Sequence, residues 1–106
     1  MEIEIKLEDG KKVNAYFGDK IIKTDQPIKD GGDDTAPSPF DLFLASIGTC
    51  VGIYIKMFCD KREISTEGIK IIQKMKYNKE DNLISDVDFD ISLPSSFPDK
   101  YVESVI

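Results

Sequence analysis

The first quarter of the chain has the alternating pattern of a small antiparallel sheet. Apolar and charged residues alternate over residues 2–8, and the alternation resumes over residues 13–17 after Asp9-Gly10. A period of two is typical of a strand with one buried face, and Asp-Gly favours a tight turn. A second turn at Gly18-Asp19 precedes an apolar segment at residues 21–24. The pattern therefore predicts a three-stranded meander.

The middle of the chain predicts a loop followed by one long helix. Residues 25–37 are rich in proline, glycine and aspartate, which is typical of a loop. Ser38 suits the N-cap, Pro39 suits the first helical position, and Asp41 complements the positive end of the helix dipole. From there to about Arg62 there is no proline, and apolar residues occur all around the helical wheel. We expect a helix that is buried on most of its sides.

The last third predicts two paired strands and the beginning of a second helix. Strand patterns cover residues 69–77 and 86–93, with a row of lysines on the polar face of the first and a row of aspartates on that of the second. In an antiparallel pair these rows would face each other, and each cross-strand pair of opposite charge contributes roughly 0.2–1 kcal/mol. A capped helix start follows at residues 95–99. Its apolar positions extend to Ile106, barely two turns later, so the domain looks truncated at its C-terminus.

The predicted order is βββ-α-ββ-α, which is an α+β fold. A length of 106 residues fits a single domain, spanning 1–106. One face of a small sheet cannot cover a helix that is apolar on all sides, so we expect a homodimer. Gly48 and Gly52 lie one helical turn apart, which favours the close approach of a neighbouring helix at this position.

Charge and composition limit the partners and the compartment. The net charge is −6 and no basic cluster is present, which argues against nucleic acid and anionic membranes as partners. The most apolar stretch, residues 42–55, is shorter than the roughly 20 residues that span a bilayer, and this favours a core helix. The N-terminus lacks the apolar segment of a signal peptide, so we expect a cytoplasmic protein.

Histidine is absent, which excludes Ser-His and Cys-His nucleophile pairs and most zinc sites. Cys50 and Cys59 are too few for a disulfide framework or a Cys₄ site, and we expect no metal or cofactor. In one helix their nine-residue spacing is a rise of roughly 13.5 Å onto opposite faces, which excludes an intrahelical disulfide. Cys59 is expected to be a packing or surface residue. Alternate aspartates at 86–90 favour a solvated strand face over a cation site.

One segment carries a family resemblance. The Ser-Pro-x-Asp-Leu run at residues 38–42, an apolar helical turn, and Ser46-Ile47-Gly48-Thr49-Cys50 resemble the signature of the OsmC/Ohr family. The close resemblance covers residues 31–60, and the predicted element order on both sides agrees with the family fold. The residue after Ser-Pro is apolar, which is nearer to the OsmC-like branch than to the organic hydroperoxide reductases.

The resemblance implies a stress-response thiol peroxidase that reduces organic hydroperoxides as an intertwined dimer, with antiparallel sheets wrapped around central helices and active sites at the subunit interface. Cys50 would be the peroxide-attacking thiolate. The family glutamate position is occupied by Phe40, with Asp41 one residue later as the second candidate catalytic residue. The family arginine is missing from the N-terminal strands, and a resolving cysteine would lie beyond Ile106. The resemblance does not indicate which thiol would reduce the oxidised Cys50.

Two readings of Cys50 follow from its chemistry. A cysteine is mostly protonated near neutral pH unless a cation or a helix N-terminus stabilises its thiolate, and Cys50 lies about three turns into its helix. An unpaired cysteine is often a small apolar core residue. The alternative to a peroxidase is therefore a non-catalytic OsmC-like dimer that binds a small hydrophobic ligand at its subunit interface.

Overall fold

The computed structural model describes residues 1–105 and has the predicted element order. Strands β1 (Glu4–Leu7), β2 (Val13–Phe17) and β3 (Lys20–Thr24) precede helix α1 (Pro39–Lys61). Strands β4 (Lys70–Tyr77) and β5 (Ile84–Ser92) then lead to the short helix α2 (Val102–Val105). Single turns of 3-10 helix occupy Ile28–Asp30 and Asp99–Tyr101. Ile106, the last apolar position of the predicted second helix, lies outside the described residues.

The chain divides into two compact units, which are described separately: Met1–Ser46, and the residues from Ile47 onward. The first unit contains the predicted meander, with β1 paired to β2 and β2 to β3, both antiparallel. Gly18 has a φ of 57° in the tight turn between β2 and β3, a conformation that glycine adopts without steric cost. One face of this sheet is apolar, and several of its side chains are exposed: Ile5, Leu7 and Ile22.

The second unit confirms the predicted strand pair and its register. Lys74 lies opposite Asp88, and Lys76 lies opposite Asp86. The ion pairs are diagonal, since Lys74 Nζ is 2.7 Å from Asp90 Oδ2 and Lys76 Nζ is 3.2 Å from Asp88 Oδ2. The hydrogen bond with Asp90 raises the pKa of Lys74 above its ordinary value. The aspartate row is thus a solvated face that pairs with lysines.

The core of the second unit lies between α1 and the inner face of the strand pair. Its buried residues are Ile55, Cys59, Phe97 and Val105, and apolar residues of β4 and β5 pack against them. The prediction that α1 is buried on most sides is wrong for the single chain, because the strand pair packs against only one side of this part of the helix. Large apolar side chains along the helix are exposed: Phe40, Phe43, Ile53, Tyr54 and Met57.

Helix α1 is also longer than the apolar stretch at residues 42–55, whose length predicted a core helix and not a membrane span. It has 23 residues, an 18-residue window has a mean hydropathy of 1.8, and 17% of that window is buried. By length and composition alone it could cross a membrane, a test that the core helices of soluble proteins also pass. The 14-residue stretch counted in the sequence therefore underestimated the apolar length of this helix.

Candidate functional site

The first turn of α1 is built as the sequence predicts. The backbone N–H of Asp41 donates to Ser38 Oγ at 3.2 Å, so Ser38 caps the helix. The Asp41 side chain is exposed. The neighbouring rings of Phe40 and Phe43 are stacked at a centroid distance of 6.4 Å. Asp41 lines a shallow surface depression together with Gln26, Pro27 and other residues of the preceding loop.

Cys50 opens onto an apolar cavity in the second unit. The thiol is free and exposed, and the cavity has a volume of about 400 Å³. Helix α1 supplies most of the wall and α2 closes one side, with this lining: Cys50, Val51, Tyr54, Ile55, Phe58, Ser104 and Val105. Residues 50, 51, 54, 55 and 58 are spaced at three and four, which places them along one helical face. The site therefore combines an exposed free thiol with a largely apolar cavity lining.

The polar character of this cavity is slight. Besides the Cys50 thiol, the lining offers only the hydroxyls of Tyr54 and Ser104 as side-chain hydrogen-bonding groups, and no lining residue carries a formal charge at neutral pH. Asp41, the second predicted catalytic residue, is not part of the lining. It belongs to the first unit and Cys50 to the second.

Cys59 has a different environment from Cys50. It is fully buried in the core cluster with Ile55, Phe97 and Val105, and its thiol is also free. Of the two roles expected for it, packing and surface, the packing role is confirmed. The two thiols thus differ in access to solvent, which allows each to be followed separately in labelling experiments.

Beside the cavity, the end of α1 carries a cluster of rings around Arg62. The Arg62 guanidinium carbon lies 3.7 Å from the centroid of the Phe58 ring and 5.4 Å from that of Tyr101. The two rings meet edge to face at 5.7 Å. A guanidinium N–H of Arg62 also donates to the Phe58 carbonyl at 3.0 Å. The chain's single arginine therefore contacts a residue of the cavity wall.

The loop before α1 is held by one buried carboxylate that the sequence analysis did not single out. Asp25 is fully buried and accepts hydrogen bonds from the Gln26 N–H and from the N–H and hydroxyl of Thr35, at 2.7, 3.1 and 2.6 Å. These bonds, led by that from the Thr35 hydroxyl, lower the pKa of Asp25 to about 2. Nearby, Lys12 Nζ lies 2.6 Å from Asp33 Oδ2. The loop is thus fixed by its own hydrogen bonds.

The close approach of a helix from a second copy at Gly48 stays a prediction, and within the chain Gly48 has a different close neighbour. A Cβ at Gly48 would collide with Oε1 of Gln73, so the close neighbour is a side chain of β4. Gly52 has open space around its Cα. A larger residue at position 48 would require the flexible end of the Gln73 side chain to shift.

Three residues near the candidate site were not predicted from the sequence: Phe58, Arg62 and Tyr101. Phe58 and Arg62 are four residues apart, and an aromatic–arginine pair at that spacing on a helix is a usable signal. Tyr101 is distant in sequence, and no local pattern indicates its contact. Among residues 1–105, no group of three or more His, Cys, Asp or Glu side chains is placed to hold a metal ion.

Comparison with known proteins shows the family and supports the fold. The family model described as OsmC-like protein matches residues 31–106. The fold is similar to the crystal structure of a protein from Psychrobacter arcticus 273-4, described as an osmotic stress induced and detoxification response protein. The TM-score is 0.78 and the identity 21%, with 97% of this chain and 77% of that chain covered. No curated protein matches the sequence.

Proposed function

Because the chain belongs to the OsmC-like protein family, we propose that it is a thiol-dependent redox protein that reduces organic hydroperoxides through Cys50. The observation that carries the proposal is the exposed Cys50 thiol at an apolar cavity of about 400 Å³. A buried structural cysteine would be inaccessible to substrate, as Cys59 is. The apolar lining suits the organic part of an alkyl or aryl hydroperoxide.

The proposed step oxidises the thiol by two electrons. The Cys50 thiolate attacks the distal oxygen of the hydroperoxide, an S–O bond forms and the O–O bond breaks. The leaving alkoxide takes a proton from solvent and departs as the alcohol, while Cys50 becomes a sulfenic acid. Return to the thiol takes two electrons from an external thiol reductant.

The surroundings of Cys50 predict slow chemistry. A cation or a helix N-terminus normally stabilises a reactive thiolate, and the residues that line the cavity include no cation. Phe40 occupies the position of the family glutamate, and Asp41 lies apart from the cavity lining. We therefore expect peroxide turnover well below that of an organic hydroperoxide reductase.

We also propose that the protein is a cytoplasmic homodimer in which a second copy covers the exposed side of α1. That side presents Phe43, Ile53, Tyr54 and Met57 to solvent in the single chain. The meander has an apolar face of its own that is open in the single chain. Contiguous apolar surface of this kind marks an interface. In this proposal α1 is a core helix of the dimer, and neither nucleic acid nor membrane is a partner.

The second candidate function is a non-catalytic dimer that holds a small hydrophobic ligand. The absence of charged groups from the cavity lining favours it, since catalysis of peroxide attack gains most from a charged neighbour. In this alternative Cys50 is one polarizable wall residue among several.

A single-turnover experiment separates the two functions. The reduced protein is mixed with an equimolar amount of cumene hydroperoxide, the remaining peroxide is measured over time, and sulfenic acid is trapped with dimedone. The proposal predicts stoichiometric peroxide loss and a dimedone adduct on Cys50, both abolished by Cys50→Ser and retained in Cys59→Ala. Peroxide loss that is equal in the wild type and Cys50→Ser would contradict it and favour the ligand-binding function.

A further inference from the structure

The cavity has walls from two parts of the chain, α1 and α2, which are held together by side-chain packing. Helix α1 supplies five of the seven lining residues, and α2 supplies Ser104 and Val105. With four residues, α2 is too short to be stable as an isolated helix. Its position against α1, and with it the width of the cavity, depends on side-chain contacts.

Arg62 contacts both walls of the cavity region, through one ring on the α1 side and one ring on the α2 side. Its guanidinium lies over the ring of Phe58, which belongs to the α1 wall, and within 5.4 Å of the ring of Tyr101, which directly precedes α2. The hydrogen bond to the Phe58 carbonyl fixes the arginine at the end of α1, where helix carbonyls lack intrahelical donors. The edge-to-face contact of the two rings completes the link.

We propose that Arg62 is a positioning residue that sets the size selectivity of the Cys50 cavity. It acts through the Phe58 and Tyr101 rings and has no contact with the reacting atoms. Its loss frees the Phe58 side chain and loosens the approach of α2. The cavity then stops discriminating between slim and bulky apolar groups that reach Cys50. The inference rests on the proposed function for the identity of the site, and its test needs no peroxide chemistry.

The test is the selectivity of Cys50 alkylation in the folded protein. Second-order rates are measured with N-ethylmaleimide and with the bulkier N-phenylmaleimide, and each is divided by its rate with a free cysteine peptide. Trypsin cleaves after Lys56, so mass spectrometry counts Cys50 and Cys59 in separate peptides. Arg62→Met is expected to shift the ratio of the two normalised rates about two- to five-fold toward that of the free peptide, the range that corresponds to a surface cation–π contact.

Three controls define the outcome. Lys61→Met removes the neighbouring cation, which makes none of the cation–π contacts found among residues 1–105, and should keep the wild-type ratio. Arg62→Lys keeps a cation near the rings and should lie between the wild type and Arg62→Met. Labelling of buried Cys59 reports unfolding in every sample. If Cys59 of Arg62→Met is labelled as fast as Cys50, that variant is unfolded, and the selectivity is measured in the milder Arg62→Gln instead.

A wild-type ratio in a folded Arg62→Met or Arg62→Gln protein overturns the inference, as does an equal shift in Lys61→Met. The proposed function fails separately. If the wild type shows selective Cys50 alkylation but consumes no peroxide, the proposed peroxidase activity is refuted and the inferred role of Arg62 still stands.

Discussion

Ile53 and Ile55 are two residues apart on α1. Truncating each of them distinguishes burial within the chain from burial by a second copy. Ile55 is 4% exposed and belongs to the core cluster, whereas Ile53 is 54% exposed in the single chain. Truncation to alanine removes three carbon groups from either residue, a transfer free energy of about 2.4 kcal/mol at about 0.8 kcal/mol per group. The same chemical change is thus made in two different environments.

For Ile55→Ala we expect the whole transfer term and a cavity term, within the roughly 2–5 kcal/mol usual for buried isoleucine. Ile53 is about half buried within the chain, so Ile53→Ala loses about half of the transfer free energy in the single chain. The other half is lost only if a partner covers the side chain. In a two-fold dimer both copies lose it, which gives about 2.4 kcal/mol of association free energy, or roughly a 50-fold increase in the dimer dissociation constant.

The assay pairs urea unfolding, followed by circular dichroism, with sedimentation of a dilution series for the dissociation constant. Ile55→Ala should cost more unfolding free energy per chain than Ile53→Ala, and Ile53→Ala should weaken the dimer. A dissociation constant that Ile53→Ala leaves unchanged would refute the proposal that a second copy covers this side of α1. A wild type that sediments as a monomer at micromolar concentration would refute the dimer itself.

Three further predictions concern other parts of the chain. The pKa of Asp25 is about 2 when folded and 3.8 in a model peptide, so its stabilising effect is complete above about pH 4 and is lost as the pH falls through 2; Asp25→Asn should flatten the fall in urea midpoint across that window, and an unchanged slope would argue against this role. Gly48→Ala should change the melting temperature less favourably in the wild type than in a Gln73→Ala background, because the flexible end of the Gln73 side chain must shift to admit the methyl; equal changes in both backgrounds would exclude the contact. Lys74→Glu should lower the melting temperature more at low salt than at high salt, since it replaces an exposed ion pair with like charges, and a loss independent of salt would point to packing instead.

The elements that follow from local pattern were predicted correctly from the sequence. The lysine and aspartate rows gave the register of β4 and β5, because a one-residue slip would turn each row to the other face. Ser38-Pro39 gave the start of α1, because capping depends on residues a few positions apart.

What the sequence could not provide depends on contacts distant along the chain. Asp25 lies at the end of a strand, and only the folded loop brings the Thr35 hydroxyl to its carboxylate. The Gln73 side chain at Gly48 and the Tyr101 ring at Phe58 are likewise set by how β4 and the C-terminal segment pack on α1. The burial of α1 within the chain was overestimated, because an apolar helix surface can be covered either by the same chain or by another molecule, and the sequence pattern is the same in both cases.

The proposed function requires that the exposed Cys50 thiol reacts as a nucleophile in the folded protein. The rate of Cys50 alkylation by iodoacetamide in the folded protein, divided by the rate with a free cysteine peptide, tests this requirement without the correct peroxide or a reductant. We expect rapid labelling of exposed Cys50 in the folded protein, while buried Cys59 stays unlabelled. Protection of Cys50 from alkylation until the protein unfolds would contradict it.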